Sequence, residues 1–141
     1  MEELIAYNVS VLEKIEELLE QVTDAELAHA RGLLFGSSMG QHFRHILEFY
    51  ACLLNTMDAP TFSYDRRERN MLIEQVASEA RASARASRVL LGALVRDRDL
   101  VMESELPSSS TYSQQHTTLK RELAYLADHG VHHLAMVRIA L

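Results

Sequence analysis

The sequence has no tryptophan, few aromatic residues of any kind, and only two prolines and five glycines among its 141 residues. Aromatic side chains make up 6% of the chain, whereas apolar residues together make up 48%. A β-sandwich is rich in aromatic and β-branched residues, so this composition argues against one. With so few residues that interrupt regular structure, we expect long helices that pack through leucine, alanine, methionine and valine.

The chain also lacks an excess of positive charge and a second cysteine. Its formal net charge of −6 argues against a nucleic-acid partner. Cys52 cannot form an intrachain disulfide, and its position in the apolar run Phe49–Leu54 predicts a buried, unreactive thiol. A single cysteine also makes the reducing cytoplasm the default compartment.

Nor is there an apolar stretch that approaches the ~20 residues needed to span a membrane. The N-terminal residues are acidic and amphipathic, without the basic and apolar regions of a signal peptide. We therefore expect a cytoplasmic protein with no membrane partner.

Apolar residues recur at spacings of three and four in several segments, which predicts four long helices. The first covers residues 2–21. The second follows a capping-box pattern, Ser38-Met39-Gly40-Gln41, and continues to Asn55. The third is expected over residues 66–97, and the fourth runs from near Thr118 to the end of the chain.

The segments between these helices carry break and turn signals. Thr23-Asp24-Ala25-Glu26 is a second capping-box pattern, which predicts a break and a short helical piece. Residues 56–66 are expected to form a loop, whereas residues 99–115 fit either a small hairpin or an irregular loop. The predicted fold class is all-α, with residues 1–141 forming a single four-helix bundle domain.

Five of the seven histidines fall into two clusters, His42 and His45 on the second helix and His129, His132 and His133 on the fourth. Residues three or four apart share a helix face, so His42 and His45 point together, as do His129 and His133. Two histidines at positions i and i+4 are a standard way for one helix to hold a metal ion.

Helix geometry and spacing also limit the roles of His132, His29 and His116. His132 lies about 100° around the helix from His133, so these two cannot both aim at one point. His29 and His116 have no companions at helical spacing and are expected at the surface or in loops. Spacing alone leaves open whether His42 or His45, and whether His132 or His133, faces a common site.

The surroundings of the last cluster indicate a metal site. His129 and His133 extend the apolar stripe of Leu119, Leu123 and Leu126, so they should face the protein interior. Three neutral imidazole nitrogens with further positions left open are typical of a catalytic zinc-type site. The alternative is that these are ordinary core or surface histidines.

Three segments, SMGQHFRHILEFY, YDRRERN and RELAYLADHGVHHLAMV, resemble the DinB-like (DinB/YfiT) family of four-helix bundle proteins. The resemblance covers most of the chain in order and spacing, and the two histidine motifs together are specific. It implies an up-down-down-up bundle, commonly dimeric, with a divalent ion such as zinc or nickel. The implied metal ligands are His45 from the second helix and His129 and His133 from the last.

The same resemblance implies two kinds of chemistry. Several members of the family are thiol-dependent transferases, which join a low-molecular-weight thiol to an electrophile, and others are described as metal-dependent hydrolases. We therefore expect a homodimeric metal-dependent enzyme of one of these kinds, with the metal and such a thiol as cofactors. A non-catalytic, dimeric, stress-related module is one alternative. Because the chain ends at Leu141 within an apolar helix, a part of a longer protein is another.

Other polar residues near the histidines have open roles. Glu48 follows His45 on the same helix face, where it could orient a ligand, act as a base or form a solvent-facing salt bridge. His42 could donate a hydrogen bond to a ligand, serve as a fourth ligand or pack in the core. Tyr64 and Arg67 could lie near the mouth of the bundle. The sequence predicts no catalytic residue.

Overall fold

The computed structural model describes residues 1–55, 58–108 and 110–141. These residues form six α-helices, one 3-10 turn and three β-strands. In chain order they are α1 (Glu2–Glu20), α2 (Asp24–Ala28), the 3-10 turn (Gly32–Leu34), α3 (Met39–Leu54), β1 (Thr61–Phe62), α4 (Leu72–Gln75), α5 (Ala77–Gly92), β2 (Asp99–Glu105), β3 (Tyr112–Thr118) and α6 (Leu119–Ala140).

The core lies between the four longest helices. Helix α1 packs against α5 and α6, and α3 packs against the same two helices. Each helix buries an apolar stripe with the 3.6-residue period, including Ile15 of α1, Ile46 of α3 and Leu126 of α6, all fully buried. None of the helices formed by the described residues combines the length and apolar character that a membrane crossing requires.

A small mixed sheet combines β1, which follows α3 in the chain, with β2 and β3, which lie between α5 and α6, and it fixes where α6 begins. Strand β1 pairs in parallel with β2, and β2 pairs in antiparallel fashion with β3. Strand β3 leads directly into α6, whose first turn is capped by the Thr118 hydroxyl, which accepts from the Arg121 N–H at 3.1 Å. Asp97 Oδ1 accepts from the Lys120 N–H at 2.8 Å, so the sheet and the helix start are held together.

The prediction of an all-α four-helix bundle is wrong, because the chain combines six helices with a three-stranded mixed sheet. The hairpin, one of the two alternatives for residues 99–115, is formed by β2 and β3. Strand β3 is polar and mostly exposed, so its sequence resembles a loop. The predicted loop over residues 56–66 contains β1 at residues 61–62, and its residues 56 and 57 lie outside the described part of the chain.

The single long helix predicted over residues 66–97 is also wrong. The structure has the four-residue α4, an extended Val76 with φ −125° and ψ 111°, and then α5, which ends at Gly92. The break is held from outside the segment, since Asp24 Oδ1 accepts from the Ala77 N–H at 2.8 Å. The other three long helices and both predicted capping boxes, at Thr23 and Ser38, are confirmed.

The short helix α4 lies so close to α3 that only glycine fits at position 40. A Cβ atom on Gly40 would overlap the backbone carbonyl oxygen of Glu74 and lie 2.7 Å from its carbonyl carbon. Backbone atoms cannot rotate away as a flexible side chain can, so α4 would have to move.

We therefore predict that Gly40→Ala lowers the free energy of unfolding by about 1–3 kcal/mol, the usual cost of overpacking. Gly92→Ala is the matched control, because a Cβ there meets no atom within 4 Å. Chemical denaturation followed by circular dichroism measures both variants. Equal stability of the two variants would contradict the close contact between α3 and α4.

Candidate metal centre

Three histidines from two helices converge on one point. His45 comes from α3, while His129 and His133 lie one turn apart on α6. Each offers one ring nitrogen, and these three nitrogens all lie within 4.8 Å of one another. The ring centroids are 5.0 Å apart for His45 and His129, 4.7 Å for His45 and His133, and 4.6 Å for His129 and His133. The histidine cluster, as we call this set, could therefore hold a metal ion.

A glycine within the histidine motif lets α6 approach its neighbours. Gly130 is buried, and a Cβ atom there would lie 2.9 Å from Cγ1 of Val11 on α1. The same atom would lie 3.7 Å from Cγ2 of Ile46, the residue next to His45 on α3. Gly130 therefore lets α6 pack closely against α1, whereas a Cβ atom there would make only ordinary van der Waals contact with α3.

Burial keeps the three imidazoles neutral. It is the largest cause that lowers the pKa of His45, His129 and His133, each to about 4 from a usual value of 6.5. Neighbouring histidines lower each pKa further, and the positive charge of Arg67 adds to the effect on His45 and His129. At pH 7 each ring therefore carries a free lone pair on one nitrogen, which is the form that binds a metal.

His42 lies beside the histidine cluster and contacts one of its members. Its Nδ1 atom is 2.9 Å from Nδ1 of His133, which is hydrogen-bonding distance. Because one ring must donate and the other accept, this contact couples the two tautomers, and only one of the two Nδ1 atoms carries a proton. Burial lowers the pKa of His42 as well. The geometry therefore favours His42 as a hydrogen-bonding partner of His133 over a fourth ligand.

His129 is held between aromatic rings. Phe49 stacks on it with ring centroids 4.4 Å apart and planes 14° apart, and Tyr125 stacks on it at 5.6 Å and 26°. Sequence reasoning missed both residues. Their spacing could have found them, since Phe49 follows His45 by four positions and Tyr125 precedes His129 by four, and such residues share a helix face.

Glu48 belongs to a buried ion-pair network. It is 5% exposed, and its carboxylate lies 3.0 Å from Nε of Arg67 and 3.5 Å from Nε of Arg44. Arg44 also pairs with Glu74 at 2.9 Å. The predicted salt bridge is present but is not solvent-facing. Because both carboxylate oxygens of Glu48 face arginines, its expected roles as a base or a ligand-orienting residue find no support in these contacts.

Arg67 and Tyr64 lie near the cluster, because both contact the Phe49 ring that stacks on His129. The Arg67 guanidinium carbon is 5.0 Å from the centre of the Phe49 ring, and its Nη1 donates to the Tyr64 carbonyl at 2.7 Å. The Tyr64 ring stacks on Phe49 at 4.8 Å, with planes 9° apart. Both residues therefore support the ring that contacts His129.

A comparison with protein-family models adds to this geometry, since the DinB family model matches residues 1–141, the whole chain. The chain belongs to the DinB family. Searches among curated proteins and among solved structures each gave no match. Membership is thus established by the sequence, and the three histidines that the resemblance implied are those that the structure brings together.

The remaining candidate residues of this DinB-family chain lie outside the cluster. Cys52 is half-buried, which is less than predicted, and burial raises the pKa of its thiol to about 11. His132 is exposed, and its ring meets that of His133 edge-on at 5.5 Å. His29 and His116 are exposed, as expected. Assignment of His45, His129 and His133 as metal ligands stays a prediction.

The lowered pKa values predict a pH-dependent stability of the metal-free protein. Between pH 6.5 and about 4 the unfolded chain binds protons that the folded cluster does not. The free energy of unfolding therefore falls as the pH falls through this window. Replacing all three histidines with glutamine should reduce the drop in melting temperature between pH 7 and pH 5, measured in chelator.

The matched control replaces the two exposed histidines, His29 and His116, with glutamine and should keep the full drop. We compare the change in melting temperature between pH 7 and pH 5 rather than the melting temperatures themselves. This comparison removes any destabilisation by the glutamines that does not depend on pH. A drop in the triple variant as large as in the unaltered protein would contradict the neutral, buried cluster.

Proposed function

We propose that this protein binds a divalent ion, zinc or nickel, through His45, His129 and His133 and is a metal-dependent enzyme of the thiol-transferase or hydrolase type. The observation that carries the proposal is the convergence of three neutral imidazoles on one point. Family membership supports it but specifies no activity. The homodimer expected from the sequence stays a prediction.

The donor set fits such an ion. Zinc accepts imidazole nitrogen at roughly 2.0–2.1 Å, and catalytic sites keep three protein ligands and an open position. Nδ1 of His129 is buried and has no hydrogen-bond partner among the residues that the structure describes, a cost that the approach of a cation or a water would relieve. When bound, the ion would supply Lewis acidity, which brings the pKa of a coordinated thiol or water close to neutrality.

The protein's own residues hold the ligands in place. Phe49 and Tyr125 restrict the ring of His129, and His42 restricts the ring of His133. Such contacts around ligands commonly decide metal affinity. Arg44 and Arg67 place positive charge near His45, and the buried carboxylate of Glu48 pairs with both arginines.

The attacking group has to come from a small molecule. The chain's single cysteine, Cys52, has a thiol pKa raised to about 11, so it is protonated at neutral pH. A low-molecular-weight thiol would form a bond from sulfur to an electrophilic carbon, releasing the leaving group to solvent. Water would cleave an ester or amide bond instead. Both reactions use the same three-histidine site.

His133→Ala should lower zinc affinity by at least about 100-fold, because it removes a direct ligand rather than a supporting contact. The zinc-loaded protein is assayed with cysteine, glutathione or coenzyme A as the thiol and monobromobimane as the electrophile. Hydrolysis is assayed in parallel with p-nitrophenyl acetate. We expect the loss of zinc binding and the loss of rate to occur together.

His116→Ala is the control for this experiment, because His116 is exposed on β3 and is not one of the three converging histidines. It should keep both zinc affinity and rate. If His133→Ala keeps the full rate in the active assay, the metal-dependent reaction is contradicted. If the zinc-loaded protein is no faster than zinc in buffer in either assay, the non-catalytic alternative is favoured.

A further inference from the structure

A cavity of about 340 Å³ lies next to the histidine cluster, where α3, β2 and α6 meet the segment that follows β1. The residues that line it are Phe49, Tyr64, Asp65, Met102, Ser104, Arg121, Glu122 and Tyr125. Its volume is near the lower end of the roughly 300–1,000 Å³ that small-molecule sites occupy. It is therefore large enough for one or two fused rings.

Two of the rings that line the cavity also contact the histidine cluster. Phe49 and Tyr125 both stack on His129, at centroid distances of 4.4 and 5.6 Å. Tyr64 completes the aromatic lining, since its ring lies 4.8 Å from Phe49 and 5.7 Å from Tyr125. A molecule in this cavity would rest against the same rings that hold a candidate metal ligand.

The polar groups of the cavity are arranged by depth. Glu122 is 2% exposed, and its two carboxylate oxygens are already engaged, by the Tyr64 hydroxyl at 2.9 Å and by the Thr117 hydroxyl at 2.7 Å. It therefore requires no partner from a ligand. Asp65 and Arg121 are exposed. Asp65 Oδ2 accepts from the Glu105 N–H at 2.8 Å, and Arg121 Nη1 lies 3.4 Å from Glu122 Oε1, so their other polar atoms can meet a polar group near solvent. The buried carboxylate of the lining is thus paired within the protein, and the exposed part of the lining carries Asp65, Arg121 and the ring of Tyr125.

We propose that this cavity binds the substrate of the histidine site, a small molecule with a planar aromatic or conjugated body and one polar end. A planar ring can stack on Tyr125, which is 40% exposed, whereas a saturated ring of the same size cannot. Phe49 and Tyr64 already stack on each other and offer the ligand apolar contact. The polar end faces Asp65 and Arg121. The step from binding to reaction rests on the proposed function, but binding itself does not require the metal.

Met102 provides a direct probe of occupancy, because its side chain lines the cavity. The full chain is labelled with ¹³C at the methionine methyl groups, and the Met102 signal is assigned with Met102→Leu. Titration with 2-naphthol should shift the Met102 signal through the ring current. The signal of Met71, an exposed residue outside the cavity, should stay in place. Decahydro-2-naphthol, the saturated counterpart, should bind about twofold to tenfold more weakly.

Tyr125→Leu should weaken 2-naphthol binding by the same factor of about twofold to tenfold. Tyr112→Leu is the matched control, since Tyr112 is 42% exposed against 40% for Tyr125 but lies on β3 outside the cavity. An unmoved Met102 signal would overturn the proposal. So would equal binding of the two probes, or equal effects of the two tyrosine variants.

A separate zinc titration of the same labelled sample distinguishes the two proposals. If 2-naphthol binds at Met102 and zinc does not bind, the proposed metal function fails and the cavity stands as a binding site. If zinc binds and 2-naphthol leaves Met102 unmoved, the metal site stands and the planar substrate class is wrong.

Discussion

The packing of α3 against α6 is the contact on which the candidate centre depends. It places His45 of one helix opposite His129 and His133 of the other, and it buries the three rings enough to lower each pKa to about 4. Gly130 lies in the same stretch of α6, where a Cβ atom would come within 2.9 Å of Val11 Cγ1 on α1 and 3.7 Å of Ile46 Cγ2 on α3. Three neutral imidazoles then face one point, which is an unfavourable arrangement unless they share a cation or hydrogen-bonding partners.

The rest of the chain stabilises this contact from two sides. On one side, the sheet fixes the first turn of α6 through Thr118 and Asp97. On the other, Arg67 joins the segment after β1 to Glu48 of α3 and supports the Phe49 ring. The aromatic rings between these two sides contact His129 and also line the neighbouring cavity. Phe49 and Tyr125 thus contact the candidate metal ligand His129 and also line the cavity for which we propose a substrate.

Much of the helical structure could be predicted from the sequence, because the apolar period and the two capping boxes are local signals. The hairpin of β2 and β3 was one of two alternatives, because β3 is polar on both faces and resembles a loop. The pairing of the two-residue β1 with β2, about forty residues further along the chain, could not be predicted. The break at Val76 could not either, because alanines and arginines favour helix on both sides and the bond that holds the break comes from Asp24. Contacts between distant segments determined both features.

The candidate site could likewise be predicted only in part from local sequence signals. Helical spacing indicated which histidines share a face, but the choice of His45 over His42 came from the family resemblance, and the structure gives them different contacts. The role of Glu48 was left open among three alternatives, because its pairing with both Arg44 and Arg67 cannot be inferred from spacing alone. Phe49 and Tyr125 were missed because an aromatic residue four positions from a histidine resembles ordinary core.

The central claim is that His45, His129 and His133 form a metal site. Elemental analysis of the protein, purified without chelator and without nickel resin, tests it most directly. The account predicts about one equivalent of zinc, nickel or another divalent ion per chain, as a single three-histidine site requires. A metal content well below one equivalent would contradict it.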